Sequence, residues 1–243
     1  MQTTPQTREP RIDPGFAWDE QQVYLFDVDG TLLRCRDSIH MDSIISSVRQ
    51  ITGFEVSLDD VLIHGKTDTG IVIDACMQAG IPAEVFEPRL AEIHESMRRT
   101  VARQRQQMDL ELTPGVKEAL SHLAQKGALL GLATGNLEEI GWIKVEEAGL
   151  RDWFRFGGFS DHFHIRNELV AEAARKAREM AGSDARLCVV GDTPRDIEAA
   201  HANSLPVIAV ASGGFSFDAL IADRPEVCVS SLAELLARTQ VTP

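Results

Sequence analysis

In Val23-Tyr24-Leu25-Phe26-Asp27-Val28-Asp29-Gly30-Thr31-Leu32-Leu33, an apolar run leads into two carboxylates and a glycine. A run of β-branched, aromatic and aliphatic residues reads as a buried strand. Residues i and i+2 of an extended chain point to the same side, roughly 6–7 Å apart. Asp27 and Asp29 therefore face one point at the end of that strand. Two bare carboxylates there repel each other, unless a cation sits between them or one carries a proton. Gly30 lets the chain turn and a ligand approach the backbone, and Thr31 adds a hydroxyl. An ordinary acidic turn after a strand is the competing reading, and the downstream sequence weighs against it.

Strand and helix patterns alternate from Pro114 onward. A helix runs from 114 to 123, a strand over 128–133, and a helix to Gly149. A strand follows at 154–159, a helix at 167–181 and a strand at 187–190. Then come a helix at 194–203, a strand at 206–211, a helix at 217–222, a strand at 227–230 and a helix at 232–238. Such alternation demands right-handed crossovers and a parallel sheet covered on both faces. The expected fold class is α/β: a Rossmann-like doubly wound parallel sheet of order 3-2-1-4-5 with an inserted small helical cap domain. Ligands of such sheets bind beyond the carboxyl ends of the strands, where strand order reverses. Asp27, Asp29, Thr134 and Asp192 all fall at such ends.

The block at 35–112 has a different character. Strand-like runs give way to apolar residues at helical spacing: Ile44, Ile45, Val48 and Ile51, then Ile71, Val72, Ala75 and Met77, then Val85, Leu90, Ile93, Met97 and Val101. The expected organisation is a flexible N-terminal arm at 1–19, an α/β core made of 20–34 and 113–243, and a helical cap at 35–112. Phe16 and Trp18 offer the arm two anchors on the core.

Three further places carry polar groups suited to chemistry. Thr134-Gly135-Asn136 presents a hydroxyl and main-chain N–H groups at a strand-to-helix turn, which suits an anion; a plain N-cap is the alternative. Gly191-Asp192-Thr193-Pro194-Arg195-Asp196 places Asp192 at a strand end before a helix opened by Pro194. Asp196 lies one helical turn on. Paired oxygens of this kind suit magnesium, which takes few protein carboxylates. A cation is also required wherever charge spreads on a transferring phosphoryl group. The candidates are Arg166, Arg175 and Lys176.

Together these residues resemble the haloacid dehalogenase superfamily, in its phosphoglycolate phosphatase-like branch. DVDGTLL is similar to the first motif of that family, Thr134 matches the second, and GDTPRD is similar to the fourth. The resemblance implies that Asp27 is the nucleophile and Asp29 the general acid/base, with its main-chain carbonyl on a metal. It implies a hydrogen bond from Thr134 to the phosphoryl oxygen, Asp192 as a direct Mg²⁺ ligand, and Asp196 as a ligand or its support. Arg166 stands where the family keeps its cation, although many members have Lys before Pro and this chain has Ile165-Arg166-Asn167. Gly30, Thr31, Gly135 and Asn136 are expected around the substrate. In the cap, His64-Gly65-Lys66-Thr67-Asp68 is similar to a stretch facing substrate in phosphatases of this type, so Lys66 and Thr67 are substrate candidates, with a helix start as the alternative. The expected activity is a Mg²⁺-dependent phosphatase acting on a small phosphorylated metabolite. A sugar phosphomutase of the same superfamily and a non-catalytic binding protein remain as alternatives.

The chain has 243 residues, 44% hydrophobic and 25% charged, with a formal net charge of −13. The acidic balance, without a basic stripe, argues against nucleic acid or an anionic membrane as partner. The four cysteines, Cys35, Cys76, Cys188 and Cys228, are far apart and form no C-x-x-C pair. That spacing disfavours zinc and fits a reducing compartment. No long apolar segment or signal-peptide core is evident. The expected location is cytoplasmic, and the expected assembly a monomer or homodimer. His162 and His164 lie in a loop near the sheet mouth, and Ser212-Gly213-Gly214-Phe215 follows another strand.

Overall fold

Alternate residues of each central strand enter opposite hydrophobic cores, which is what a sheet covered on both faces requires. Tyr24 and Phe26 of strand β2 (Val23–Phe26) join Leu130, Leu132, Cys188, Val190, Ile208 and Val210 in one core. Val23 and Leu25 join Ala133, Leu187, Val189, Val207 and Ala209 in the other. The computed structural model describes residues 9–239. Its remaining parallel strands are β5 (Leu129–Ala133), β6 (Phe156–Gly158), β7 (Leu187–Gly191), β8 (Val207–Val210) and β9 (Val227–Val229). The sheet runs β6-β5-β2-β7-β8-β9, then β1 (Arg11–Ile12) antiparallel at the edge. The expected order 3-2-1-4-5 is present and is extended by β9 and β1. Strand order reverses at β2, so Asp27 leaves the sheet at the switch point.

Helices α5 (Val116–Gln125) and α10 (Leu232–Thr239) cover the first face, together with part of α6 (Glu138–Glu147). Helices α7 (Arg166–Ala181) and α8 (Pro194–Ala202) cover the second, with α9 (Phe217–Ala222) beside them. The local sequence starts α8: Thr193 and Asp196 form a reciprocal capping box, and Pro194 occupies the first turn.

Between β3 (Leu33–Cys35) and β4 (Leu110–Leu112) come α1 (Ile39–Thr52), α2 (Asp68–Gln78), the short α3 (Ala83–Phe86) and α4 (Leu90–Gln104). They have their own core, with Ile44, Val48, Val72, Ile93, Met97 and Val101 fully or almost fully buried. Leu137, Ile140 and Ile143 of the α6 region enter this same core. The helical block is therefore clamped to one core helix by apolar packing. β3 and β4 pair antiparallel, so the strand-free block expected over 35–112 begins and ends in a two-stranded ribbon. Three residues per strand are too few to show a period against their surroundings.

The expected arm needs a similar correction. Residues 1–8 lie outside the described part. From residue 9 onward the segment follows the core: Arg11 and Ile12 pair with Cys228 and Val227, and Trp18 is buried. Asp19 meets His122 at 2.7 Å and Lys126 at 2.6 Å. Burying one indole and pairing an edge strand outweighs the polar composition that reads as flexible.

Candidate active site

Buried β2 and β7 deliver Asp27 and Asp192 side by side, because the two strands are in register from Val23/Leu187 to Phe26/Val190. Carboxylate oxygens of Asp27, Asp192 and Asp196 come within 4.8 Å of one another, and all three residues are buried. Arg166, the first residue of α7, reaches into this cluster. Its Nη2 lies 2.8 Å from Asp27 Oδ1 and 2.6 Å from Asp196 Oδ1. Burial, then the neighbouring carboxylates, push the Asp27 and Asp192 carboxyls above the usual range, against the pull of Arg166. The Asp29 carboxyl behaves oppositely. Burial works to raise it, but the Lys144 ammonium, with His40 behind it, holds it well below the usual range.

Glycines make room for this crowding. A Cβ on Gly213 would collide with the Asp192 carboxylate, and so would one on Gly30, which also sits at φ +87°. The Gly30 amide donates to the Leu33 carbonyl at 2.7 Å, so that amide is not available to a substrate. Thr31 is fully buried and donates its hydroxyl to Asp192 Oδ1 at 3.1 Å. It holds Asp192 and does not reach the cavity, contrary to the expected substrate contact.

A cavity of about 390 Å³ opens above these groups. Asp27, Asp29, Gly30, Thr134, Gly135, Asn136, Arg166 and Asp192 line it from the core. Thr134 Oγ1 accepts from Asn136 Nδ2 at 2.7 Å, which leaves its own hydrogen to donate. Asn136 Nδ2 also meets Asp29 Oδ2 at 2.7 Å. The helical block supplies His40, His64, Lys66, Asp68 and Ile71 to the same cavity. Lys66 reaches it while ion-paired to Asp74. Thr67 does not line it: its hydroxyl caps α2 through the Gly70 amide and donates to the His164 carbonyl at 2.9 Å. A hydroxyl three residues ahead of a free helix amide is captured by that amide, and the helix-start alternative holds for this residue.

The donor set fits a hard divalent cation. Three buried carboxylates share one guanidinium, an excess of negative charge that oxygen-seeking Mg²⁺ would offset. Asp196 Oδ2 accepts from the Thr193 amide and hydroxyl at 3.0 and 2.7 Å, while its Oδ1 is ion-paired with Arg166 but has no hydrogen-bond partner. Asp27, Asp192 and Asp196 could therefore each offer the cation one oxygen. His162 and His164 belong to no metal-binding cluster among the described residues. Gly213 and Gly214 shape the cavity rim, where Phe215 meets His64 edge to face at 6.2 Å.

Sequence reasoning missed Lys144 and His40, and held Asp68 only as part of the cap stretch expected to face substrate. Lys144 is 1% exposed. Its Nζ lies 2.7 and 2.8 Å from the two Asp29 oxygens, 2.8 Å from Asn136 Oδ1 and 3.0 Å from His40 Nδ1. The available signal was a lysine on the apolar stripe of α6, four residues after Ile140.

A parallel sheet of order 3-2-1-4-5, a carboxylate at its switch point and an inserted helical block define a class of α/β hydrolases. The chain belongs to the haloacid dehalogenase-like hydrolase family, whose model matches residues 24–210. Its sequence is 35% identical over 101 residues to a phosphoglycolate phosphatase of Mesorhizobium japonicum, covering 41% of this chain and 44% of that one. It is 26% identical over 213 residues to a phosphoglycolate phosphatase of Agrobacterium fabrum, covering 87% and 89%. The fold is shared with the crystal structure of a predicted phosphatase from Clostridium acetobutylicum at a TM-score of 0.65 and 20% identity, over 91% of this chain and 99% of that one. Among the described residues no helix is long and apolar enough to cross a membrane.

Proposed function

We propose that this hydrolase is a magnesium-dependent phosphatase that cleaves a small phosphorylated metabolite, a phosphoglycolate-like monoester, through an aspartyl-phosphate on Asp27. The observation that carries the reading is the Asp27 carboxylate at the sheet's switch point, open to the cavity and held by a buried arginine.

Asp27 attacks phosphorus, and the ester oxygen departs on the opposite side. Arg166 fixes the Asp27 carboxylate before attack and balances the charge that spreads over the phosphoryl oxygens. Thr134 donates its free hydrogen to one of those oxygens. Asp29 serves the leaving oxygen as acid and the hydrolytic water as base. Its carboxylate faces the cavity already oriented by Lys144 and Asn136. A divalent ion on Asp27 and Asp192 would lower the repulsion between carboxylate and phosphate dianion. The helical block above the sheet mouth would exclude water and select the leaving group.

The test is phosphate release from monoesters with magnesium titrated in, together with protein labelling by a ³²P-substrate. The expected label is hydroxylamine-labile and absent from Asp27→Asn. A wild type that releases phosphate without any label on Asp27 overturns the covalent route. Release only in the presence of a sugar bisphosphate activator would make the chain a phosphomutase.

A further inference from the structure

Most of the strongly basic side chains on the cavity wall are matched by a carboxylate. Arg166 pairs with Asp27 and Asp196, Lys144 with Asp29, and Lys66 with Asp74. Arg34 lines the same cavity and makes no ion pair among the described residues. It stands on β3, where the chain passes from the core into the helical block. Glu111, its register partner across the ribbon, is held by Arg36 instead. Asp37, which also lines the cavity, gives its oxygens to the Ile39 and Asp109 amides.

The Arg34 side chain is nevertheless aimed. Its Nε donates to the Ser212 carbonyl at 2.8 Å, and its Nη2 donates to the same oxygen. Ser212 is buried and donates its own hydroxyl to the Gly30 carbonyl at 2.7 Å. The anchor is thereby tied to the turn beside Asp29, and the next residue, Gly213, lies against the Asp192 carboxylate. A guanidinium presents forked edges of N–H groups that match the paired oxygens of a carboxylate or phosphate. The inner edge, Nε with Nη2, is spent on Ser212. The outer edge, Nη1 with Nη2, meets no acceptor among the described residues. A role in holding Ser212 accounts for the inner edge alone. It leaves unexplained why a chain of net charge −13 keeps one cation of this cavity without a carboxylate.

We propose that Arg34 is a specificity residue whose outer edge binds a second anionic group, a carboxylate or another phosphate, on the leaving group. The preferred substrates are then short phosphate monoesters with a charged far end, as a cavity of about 390 Å³ allows. The inference rests on the phosphatase reading above and adds to it the residue that reads the leaving group's charge.

The experiment compares kcat/KM on the full chain for esters of nearly equal size: anionic phosphoglycolate, neutral ethyl phosphate and cationic 2-aminoethyl phosphate. The variants are Arg34→Met and Arg34→Glu. Wild type is expected to prefer phosphoglycolate over ethyl phosphate by about tenfold or more, the order of one charge-assisted pair. Arg34→Met should remove about tenfold of that preference, mainly through KM. Arg34→Glu should invert the order, with 2-aminoethyl phosphate cleaved better than phosphoglycolate. A residue that only holds Ser212 would lower all the rates by one factor, and that result overturns the inference. An unchanged preference in Arg34→Met overturns it as well. Ethane-1,2-diyl bisphosphate in the same series separates the two anions, because the ester that loses more to Arg34→Met carries the group that Arg34 binds. Should these variants fold poorly, Arg34→Lys keeps the charge and loses the fork. Its preference for phosphoglycolate should still fall severalfold, and no fall overturns the inference. A wild type that cleaves none of these esters overturns the phosphatase reading and this inference with it. An active wild type without a preference for the anionic esters overturns this inference alone.

Discussion

The α/β core and the helical block reach the same cavity by different means. In the core, each functional side chain sits at a strand end or in the first turn after it: Asp27 after β2, Thr134 after β5, Asp192 after β7, with Arg166 opening α7. Ladder hydrogen bonds between neighbouring strands fix the strand ends among them. In the block, His40, His64 and Lys66 stand on helix starts and loops, held by side-chain contacts such as the Lys66–Asp74 pair. The difference teaches where each task resides. On the proposed function, the chemistry falls to the sheet and the selection among leaving groups to the helical block.

The sharpest way to break this division is at Asp27. Asp27→Asn should keep the fold and lower turnover by roughly 10³-fold or more, as losing a covalent nucleophile does; phosphate release within tenfold of wild type would deny the core its role. Asp192→Ala should cost roughly a hundredfold and abolish stimulation by magnesium, since a hard cation loses one of few protein oxygens. Activity that persists at full rate in a chelator would count against the metal.

On the block's side, Lys66→Ala should reduce kcat/KM for phosphoglycolate by about tenfold and leave an aryl phosphate nearly unchanged. Equal losses on the two would move Lys66 from selection to scaffold. Thr67→Ala should leave specificity alone and cost about 1 kcal/mol of stability, the worth of an N-cap, measured by thermal or denaturant unfolding. The smallest effect lies furthest from both regions' shared cavity. Burial works to raise the Asp19 carboxyl, but Lys126 and His122 outweigh it and lower it. Its stabilising effect is complete above the ordinary carboxylate range and is lost as pH falls through that range to the lowered value. Unfolding curves of wild type and Asp19→Asn should therefore differ at neutral pH and converge in acid.

The parallel sheet and the places of Asp27 and Asp192 at strand ends were legible because apolar runs that stop abruptly at a charged residue have few alternative explanations, whereas Arg166 was singled out from three cations by the family resemblance. Asp29 was legible as a residue, but its surroundings were not. A lysine on the apolar stripe of α6 looks like a surface residue at a helix edge, and only its contacts with Asp29, Asn136 and His40 show it to be sealed in. His40 was hidden for the same reason. Thr67 was misleading in the opposite direction: a hydroxyl before a helix has a local use that needs no ligand. The β3–β4 ribbon and the edge strand at Arg11–Ile12 were invisible because both depend on partners about 75 residues or more away along the chain, whereas Phe16 and Trp18 were legible as anchors.

The antiparallel pair at Arg11–Ile12, on the edge of the seven-stranded sheet, has a consequence for the protein in crowded solution. Without it, β9 (Val-Cys-Val) would end the sheet with a bare row of backbone donors and acceptors, an invitation to pair with another chain. With it, a neighbour finds a two-residue stub, Arg11–Ile12, between a proline and an aspartate. At the opposite margin β6 is three residues long, and the Lys176 ammonium occupies its Gly157 carbonyl at 2.8 Å. Among the described residues both rims of the sheet are thus short strands that offer little room for strand-by-strand growth.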